Sequence, residues 1–275
     1  MNKIVDIKPE PNYAAIKDKQ KGIWSSGDYA RVGTTLQIVG EKLADAMDVH
    51  ADQRILDVAA GNGNFTLAAA RRWADITSTD YVHSLLERGK QRAIADGFDL
   101  TFELADAEDL PFADGFFDAA ASTFGVMFAP NQKQAASEMK RVVRKGGKIG
   151  LAAWTPNGFV GAMSGIIRDY VPMPAGLDSP MLWGTDAHLE TLFGQEVEEI
   201  EIVRKHFNFR YRSADHWLEV FRRYYGPLHM AFETLDDLQQ QALAQDLINM
   251  IEQMNQSEDD SMRVPGEYLE VVITR

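Results

Sequence analysis

Short unbroken apolar runs and stretches of helical period alternate along this chain, and their order is strand, helix, strand, helix. The first run, 55–58, is apolar around a single acid, Asp57, and fits a strand covered on both faces. Small residues follow it, from Ala59 and Ala60 through Gly61, Asn62 and Gly63, before an alanine-rich helix predicted over 65–74. Glycines lack a Cβ, so at such a turn they accept dihedrals closed to other residues and let a ligand approach the main chain. Further strands are predicted at 75–80, 100–104, 119–124 and 149–154, with a helix at 132–144 before the last of them. Upstream, 32–47 has a helical pattern. Downstream, alternation over 197–211 predicts a long strand and 267–275 a closing one. Between these two lie at least two helices. One starts at Ser213, a good N-cap, and carries Trp217, Val220, Phe221, Tyr224 and Tyr225; the other runs over 234–253.

Strands alternating with helices define an α/β protein with a mostly parallel, doubly wound sheet. In such sheets a carboxylate about 20 residues beyond the glycine turn accepts hydrogen bonds from ribose hydroxyls, and Asp80 ends the second strand near that interval. A nicotinamide oxidoreductase shares this arrangement. Its G-x-G-x-x-G fingerprint is incomplete here, however, because Thr66 stands where the third glycine belongs. Taken singly, Asp80 and Asp106 read as solvated strand-end acids, and the G-N-G step reads as an ordinary strand-to-helix turn. Their order at successive strand ends favours a site.

The stretch 105–118 carries an Asp106-Ala107 pair and then D-L-P-F-A-D over 109–114, ending at Asp118. With the D-V-A-A-G-N-G loop and the acid ending the second strand, the chain resembles the class I S-adenosylmethionine-dependent methyltransferases, in particular the group of ubiquinone and menaquinone biosynthesis and small-molecule enzymes. The resemblance covers roughly the second quarter of the chain and continues through the G-G turn at 146–147. It implies a Rossmann-like, mostly parallel seven-stranded sheet with an antiparallel closing strand. A helical C-terminal insertion then stands where the family usually has a hairpin-like passage.

Carried over by position, Asp57 anchors the first loop, and Ala59, Ala60, Gly61, Asn62 and Gly63 run beside the methionine part of S-adenosylmethionine. Ala59 replaces the family's commoner glycine. Asp80 takes the ribose hydroxyls, Tyr81 lies against the adenine face, Asp106 and Ala107 meet the adenine edge, and Thr123 and Phe124 border the methionine tail and the methyl group. The chemistry agrees with this placing: a ribose diol, an exocyclic amine and a zwitterion suit carboxylates and small-residue backbone, and ring faces stabilise a sulfonium. S-adenosylhomocysteine is the implied product.

Composition narrows the rest. A formal charge of −13 and a pI near 4.9 argue against an extended nucleic-acid groove, so a small-molecule acceptor is expected. The chain has no cysteine, which excludes disulfides and thiolate chemistry. No apolar run is long enough for a signal peptide or a membrane span, and the cytoplasm is the default location. The expected organisation is an N-terminal lid and helix over 1–50, a cofactor-binding core over 51–155, and the rest of the sheet with a substrate-side helical insertion over 156–275. That insertion caps the substrate site or makes a homodimer contact. In the lid segment, Trp24 and Tyr29 either cover the cofactor or pin a helix to the sheet, and Tyr29 is the better contact because its hydroxyl reaches a carboxylate. The aromatic and methionine-rich stretch with Phe159, Met163, Tyr170, Met181 and Trp183 is either an adaptable pocket lining or plain core. The cations Arg141, Arg144, Lys145 and Lys148 suit a helix C-terminus rather than a phosphate. Methyl transfer is an in-line displacement that needs alignment more than a base, and His206, His216 and His229 read as surface or packing residues. No catalytic residue is assigned.

Overall fold

The computed structural model describes residues 11–275; the first ten residues of the expected lid lie outside the described residues. The chain opens with α1 (Tyr13–Ser25), the short α2 (Ala30–Gly33) and α3 (Gln37–Ala46), then enters β1 (Arg54–Val58), α4 (Asn64–Ala70), β2 (Asp75–Asp80), α5 (His83–Ala95) and β3 (Thr101–Leu104). It continues through β4 (Phe117–Thr123), α6 (Gln132–Val142), β5 (Val143–Trp154), α7 (Phe159–Tyr170), α8 (Asp186–Phe193) and β6 (Glu199–Tyr211). Three helices, α9 (Ala214–Tyr224), α10 (Gly226–Thr234) and α11 (Asp237–Met254), separate β6 from β7 (Met262–Thr274). The seven strands form one sheet in the order β3-β2-β1-β4-β5-β7-β6. β7 is antiparallel to both neighbours and the other six strands run parallel, as the resemblance implies.

Strand order reverses between β1 and β4, and the C-terminal ends of strands at such a switch point are where open α/β sheets bind ligands. β1 and β4 are paired there at Asp57↔Ala121. Apolar side chains fill both faces of the central strands: Ile55, Ala119 and Ala121 pack under α3 and α4, whereas Leu56, Val58 and Ala120 belong to the larger core on the opposite face. No helix among the described residues is long and apolar enough to cross a membrane.

Several boundaries differ from expectation for local reasons. The helix predicted over 32–47 is interrupted by a tighter turn at Thr34–Leu36, where Thr35 Oγ1 donates to the Val32 carbonyl at 2.7 Å. α4 stops at Ala70 rather than at residue 74, because Trp73 takes φ +62° and turns the chain into β2. β5 begins six residues before the predicted start, with a bulge spanning the G-G turn: the pairing moves from Phe117↔Val143 to Ala119↔Lys148, two positions along β4 for five along β5. β7 extends upstream through Pro265 and Gly266, which hide its alternation in the sequence. The insertion holds three helices because Gly226 and Pro227 break the first one; proline cannot continue a helix and is favoured at the start of the next.

Candidate functional site

At the end of β1 the chain bends through three left-handed residues, Ala59 (φ +51°), Gly61 (φ +58°) and Gly63 (φ +79°). Ala60 N–H donates to the Thr79 carbonyl at 2.8 Å, which ties the loop to β2. Gly63 is the N-cap of α4 and has no side chain to satisfy the first N–H groups of that helix. Asp57 performs that task from the strand below: its Oδ2 accepts from Thr66 N at 2.9 Å and from Thr66 Oγ1 at 2.6 Å. Thr66 Oγ1 also lies 2.9 Å from Ser78 Oγ. The residue that replaces a third fingerprint glycine is thus a polar pin between loop, helix and second strand. Burial pushes the Asp57 carboxyl up to about 7 against the pull of the Thr66 bonds, and its Oδ1 has no partner.

Asp80 is 4% exposed and holds the other side of the loop. Its Oδ2 accepts from Gly61 N at 2.9 Å and its Oδ1 from Val82 N at 2.8 Å. Each oxygen retains a lone pair. Burial raises this carboxyl to about 6 despite the backbone donors. Beyond it, Asp106 Oδ1 accepts from Glu108 N at 2.9 Å, and Asp106 Oδ2 pairs with Lys17 Nζ of α1 at 2.6 Å. Lys17 also reaches Glu108 at 3.0 Å. Gln20, one turn further along α1, donates to the Phe128 carbonyl at 3.2 Å and receives the Tyr81 hydroxyl at 3.5 Å.

These elements enclose a single cavity with about 1150 Å³ of atom-free space, open solvent at its mouth included. Tyr29, Ala59, Ala60, Gly61, Asn62, Asp80, Tyr81, Asp106, Ala107, Thr123 and Phe124 all line it. Asp57 and Gly63 lie outside this lining and shape the loop from beneath. Tyr29 lies over Gly33 and Gly61, and a methyl added at Gly33 would come within 2.8 Å of its ring. The Tyr29 hydroxyl has no described partner, and burial pushes it up to about 12. Phe124, at φ +60°, stacks on Trp154 with centroids 3.9 Å apart and planes 3° from parallel.

The remaining wall was missed in the sequence. It comprises Lys17 and a set of rings from separated segments: Phe128 after β4, Trp154 at the end of β5, Phe209 on β6, and Phe221 and Tyr225 in the insertion. Trp24 packs edge-on against Tyr29, Phe128 and Tyr225 at 5.0 to 5.7 Å, so it both lines the cavity and fixes α1 to the insertion. Their aromatic character is visible in the sequence, but only the fold brings them together. Of the methionine-rich stretch after β5, Met163 reaches the cavity; Phe159, Met181 and Trp183 are core, and Tyr170 donates to Asp246. His206 lies near Glu267, His216 accepts from the Arg212 backbone, and His229 meets the Arg222 carbonyl, so none of the three lines the cavity. Arg141 pairs with Glu138 and Asp114, Arg144 with Asp118, and Lys148 with the Met47 carbonyl. Among the described residues no group of His, Cys, Asp or Glu is placed to hold a metal ion.

A glycine loop at the switch point, with acids ending two successive strands beside it, defines a class of nucleoside-cofactor α/β proteins. Comparison with known proteins narrows that class. Residues 56–151 match the family model described as a methyltransferase domain. The chain is 39% identical over 218 residues to the uncharacterized protein Rv1403c of Mycobacterium tuberculosis, covering 78% of this chain and 80% of that one. It is 36% identical over 113 residues to a demethylmenaquinone methyltransferase of Paenarthrobacter aurescens, 41% of this chain and 43% of that enzyme. The solved structure of the YcgJ protein from Bacillus subtilis shares the fold at a TM-score of 0.58 and 16% identity, with 88% of this chain and 98% of that one covered. The chain belongs to the class I S-adenosylmethionine-dependent methyltransferases, and S-adenosylmethionine is its cofactor.

Proposed function

We propose that this protein transfers the methyl group of S-adenosylmethionine to a small-molecule acceptor held against the aromatic wall of the cavity. The observation that carries the reading is the convergence on one cavity of Asp80, Asp106 and the left-handed Ala59–Gly61 backbone. Their chemistry fits the cofactor. Asp80 has a free lone pair on each oxygen for the two ribose hydroxyls, and Asp106 offers a carboxylate to the adenine amine. Tyr81 covers the adenine face, Ala107 meets its edge, and Tyr29 turns an unpaired hydroxyl toward the methionine carboxylate. Thr123 and Phe124 border the sulfur. In this reading Asp57 and Gly63 hold the loop in shape without touching the cofactor.

The bound cofactor supplies an electrophilic methyl on a sulfonium. The chain's own part is alignment and exclusion of water, which can supply several kcal/mol of the barrier reduction. α1 lies over the adenosine end, tied down by Lys17 and Gln20, and serves as the lid of the N-terminal segment. The helices after β6 contribute Phe221 and Tyr225 and act as the substrate cap. A general base is not required for an acceptor that ionises on its own, and the cavity offers no histidine to act as one. Calorimetric titration with S-adenosylmethionine, S-adenosylhomocysteine and NADH tests the cofactor, and incubation of extracts of small metabolites with isotopically labelled cofactor tests the transfer. Label appearing in a small product supports the reading; label only in macromolecules, or tight NADH binding alone, refutes it.

A further inference from the structure

The two ends of the cavity differ in chemistry. Among the described residues its charged side chains, Lys17, Asp80 and Asp106, all stand at the end where α1 covers the ends of β2 and β3. The other end, under the insertion, is walled by Phe124, Phe128, Trp154, Val160, Phe209 and Phe221, none of which can accept or donate a conventional hydrogen bond through its side chain except the indole N–H. Tyr225 brings a phenol into this apolar end, its ring centroid 6.4 Å from that of Tyr29. It occupies the break between α9 and α10, with φ −88° and ψ 103°, where Gly226 and Pro227 prevent the helix from continuing. Its backbone is fixed on both sides: Tyr225 N donates to the Phe221 carbonyl and the Tyr225 carbonyl accepts from His229 N, each at 2.9 Å.

The Tyr225 side chain is held by Trp24 and Phe221, with ring centroids 5.7 and 5.3 Å away, and the residue is 8% exposed. No described residue hydrogen-bonds its hydroxyl. Tyr268 is a sealed phenol without a partner among the described residues; Tyr225 differs from it in lining the cavity. A hydroxyl open to the cavity can bond water in the free protein, and a ligand that displaces that water without replacing its bond leaves the hydroxyl unpaired at a cost.

We infer that Tyr225 is the specificity-determining hydrogen-bond donor of the acceptor site, and that the acceptor is an uncharged, largely apolar molecule carrying an oxygen that accepts this bond. The inference rests on the methyl-transfer reading of the cavity and adds the class of acceptor to it. Burial raises the ionisation of Tyr225 far above neutrality, so the group is a donor and not a base. A charged acceptor finds no counter-ion among the described residues at this end, and burying an unpaired charge there is strongly unfavourable. An apolar molecule without the oxygen leaves the phenol unpaired, and sites built around one hydrogen bond reject such analogues.

The test uses a matched pair of probes, acetophenone and ethylbenzene, which differ chiefly in a carbonyl oxygen. Both are titrated by ligand-observed NMR onto the full chain saturated with S-adenosylhomocysteine. Wild type should bind acetophenone about 5- to 10-fold more tightly than ethylbenzene. Tyr225→Phe should abolish that preference without weakening the binding of ethylbenzene, whereas Tyr170→Phe, at a phenol outside the cavity that donates to Asp246, should preserve it. Equal binding of the two probes by wild type, binding of neither, or a preference that survives in a folded Tyr225→Phe protein overturns the inference. Wild type decides the acceptor class even where the variant does not fold. Failure of S-adenosylhomocysteine to bind, measured beforehand by calorimetry, sinks the methyl-transfer reading instead, so the two failures are told apart.

Discussion

Lowering the pH from about 7.5 to about 5 should weaken S-adenosylhomocysteine binding roughly tenfold through Asp80 alone. The reasoning starts from burial. Asp80 sits at 4% exposure with one backbone donor on each oxygen, and its carboxyl is raised to about 6. Ribose hydroxyls donate to the ionised form, so cofactor binding favours loss of the proton. With a midpoint near 6, only about a tenth of the free protein carries the ionised group at pH 5. Binding near pH 6 should therefore release a fraction of a proton, which calorimetry detects as a dependence of the heat on the buffer.

The same shift has a consequence for the unliganded fold, with a definite sign. A carboxyl whose folded midpoint lies above its unfolded value of 3.8 binds its proton more tightly when folded, so stability is lost as pH rises through the window from about 4 to about 6. For Asp80 this amounts to about 3 kcal/mol. Asp80→Asn removes the titration. It also leaves one of the two backbone donors without an acceptor, because an amide presents only one oxygen. The variant should bind S-adenosylhomocysteine about 10- to 100-fold more weakly at neutral pH, for the loss of a charged hydrogen bond, and its affinity should vary far less with pH. A wild-type affinity that stays flat between pH 5 and 7.5, with no buffer-dependent heat, refutes the reasoning. So does a pH dependence that persists unchanged in Asp80→Asn.

Other perturbations probe the lid and the loop. Lys17→Met removes both ion pairs that hold α1 to Asp106 and Glu108; chymotrypsin should cut α1 faster and S-adenosylhomocysteine should dissociate sooner, and unchanged rates would argue that the rings of Trp24 hold the lid unaided. Ala59→Gly relieves a left-handed alanine at φ +51° and should raise the melting temperature by about 2 °C, for roughly 1 kcal/mol; a lower melting temperature contradicts the strain. Gly125→Ala places a methyl 2.0 Å from the Ala59 carbonyl oxygen, so the loop must shift. Cofactor affinity should fall by more than tenfold, about 1.4 kcal/mol or more, and calorimetry on the folded variant checks it.

Much of the sheet was legible because its signals are local. β2 was predicted at its observed bounds, the start of α6 is the expected one, and Ser213 caps α9 by accepting from His216 N at 3.1 Å. Errors gathered where geometry depends on distant partners. The bulge in β5 follows from pairing with β4, and the early stop of α4 follows from the return into β2. The acidic end of the cavity was legible too, since strand-end acids and small residues are spaced by the fold itself. Its aromatic end was not. Trp154, Phe209, Phe221 and Tyr225 come from three elements across the sheet and insertion, and each looks like ordinary core in its own segment.

The least legible feature is how the crevice is opened. Ala59 follows β1 and Phe124 follows β4, the two strands that flank the switch point, and both adopt left-handed backbone that non-glycine residues seldom take. The two turns interlock: Gly125, next to Phe124, lies so close to the Ala59 carbonyl that no side chain fits between them. Stacking on Trp154 and burial hold Phe124 in place, while the Ala60 and Gly61 N–H bonds to Thr79 and Asp80 hold the neighbouring turn. Relaxing either strand end toward ordinary extended backbone would drive it toward the other and narrow the cavity. A left-handed alanine and a left-handed phenylalanine thus turn the two strand ends apart, and the rings and backbone bonds around them keep the crevice open.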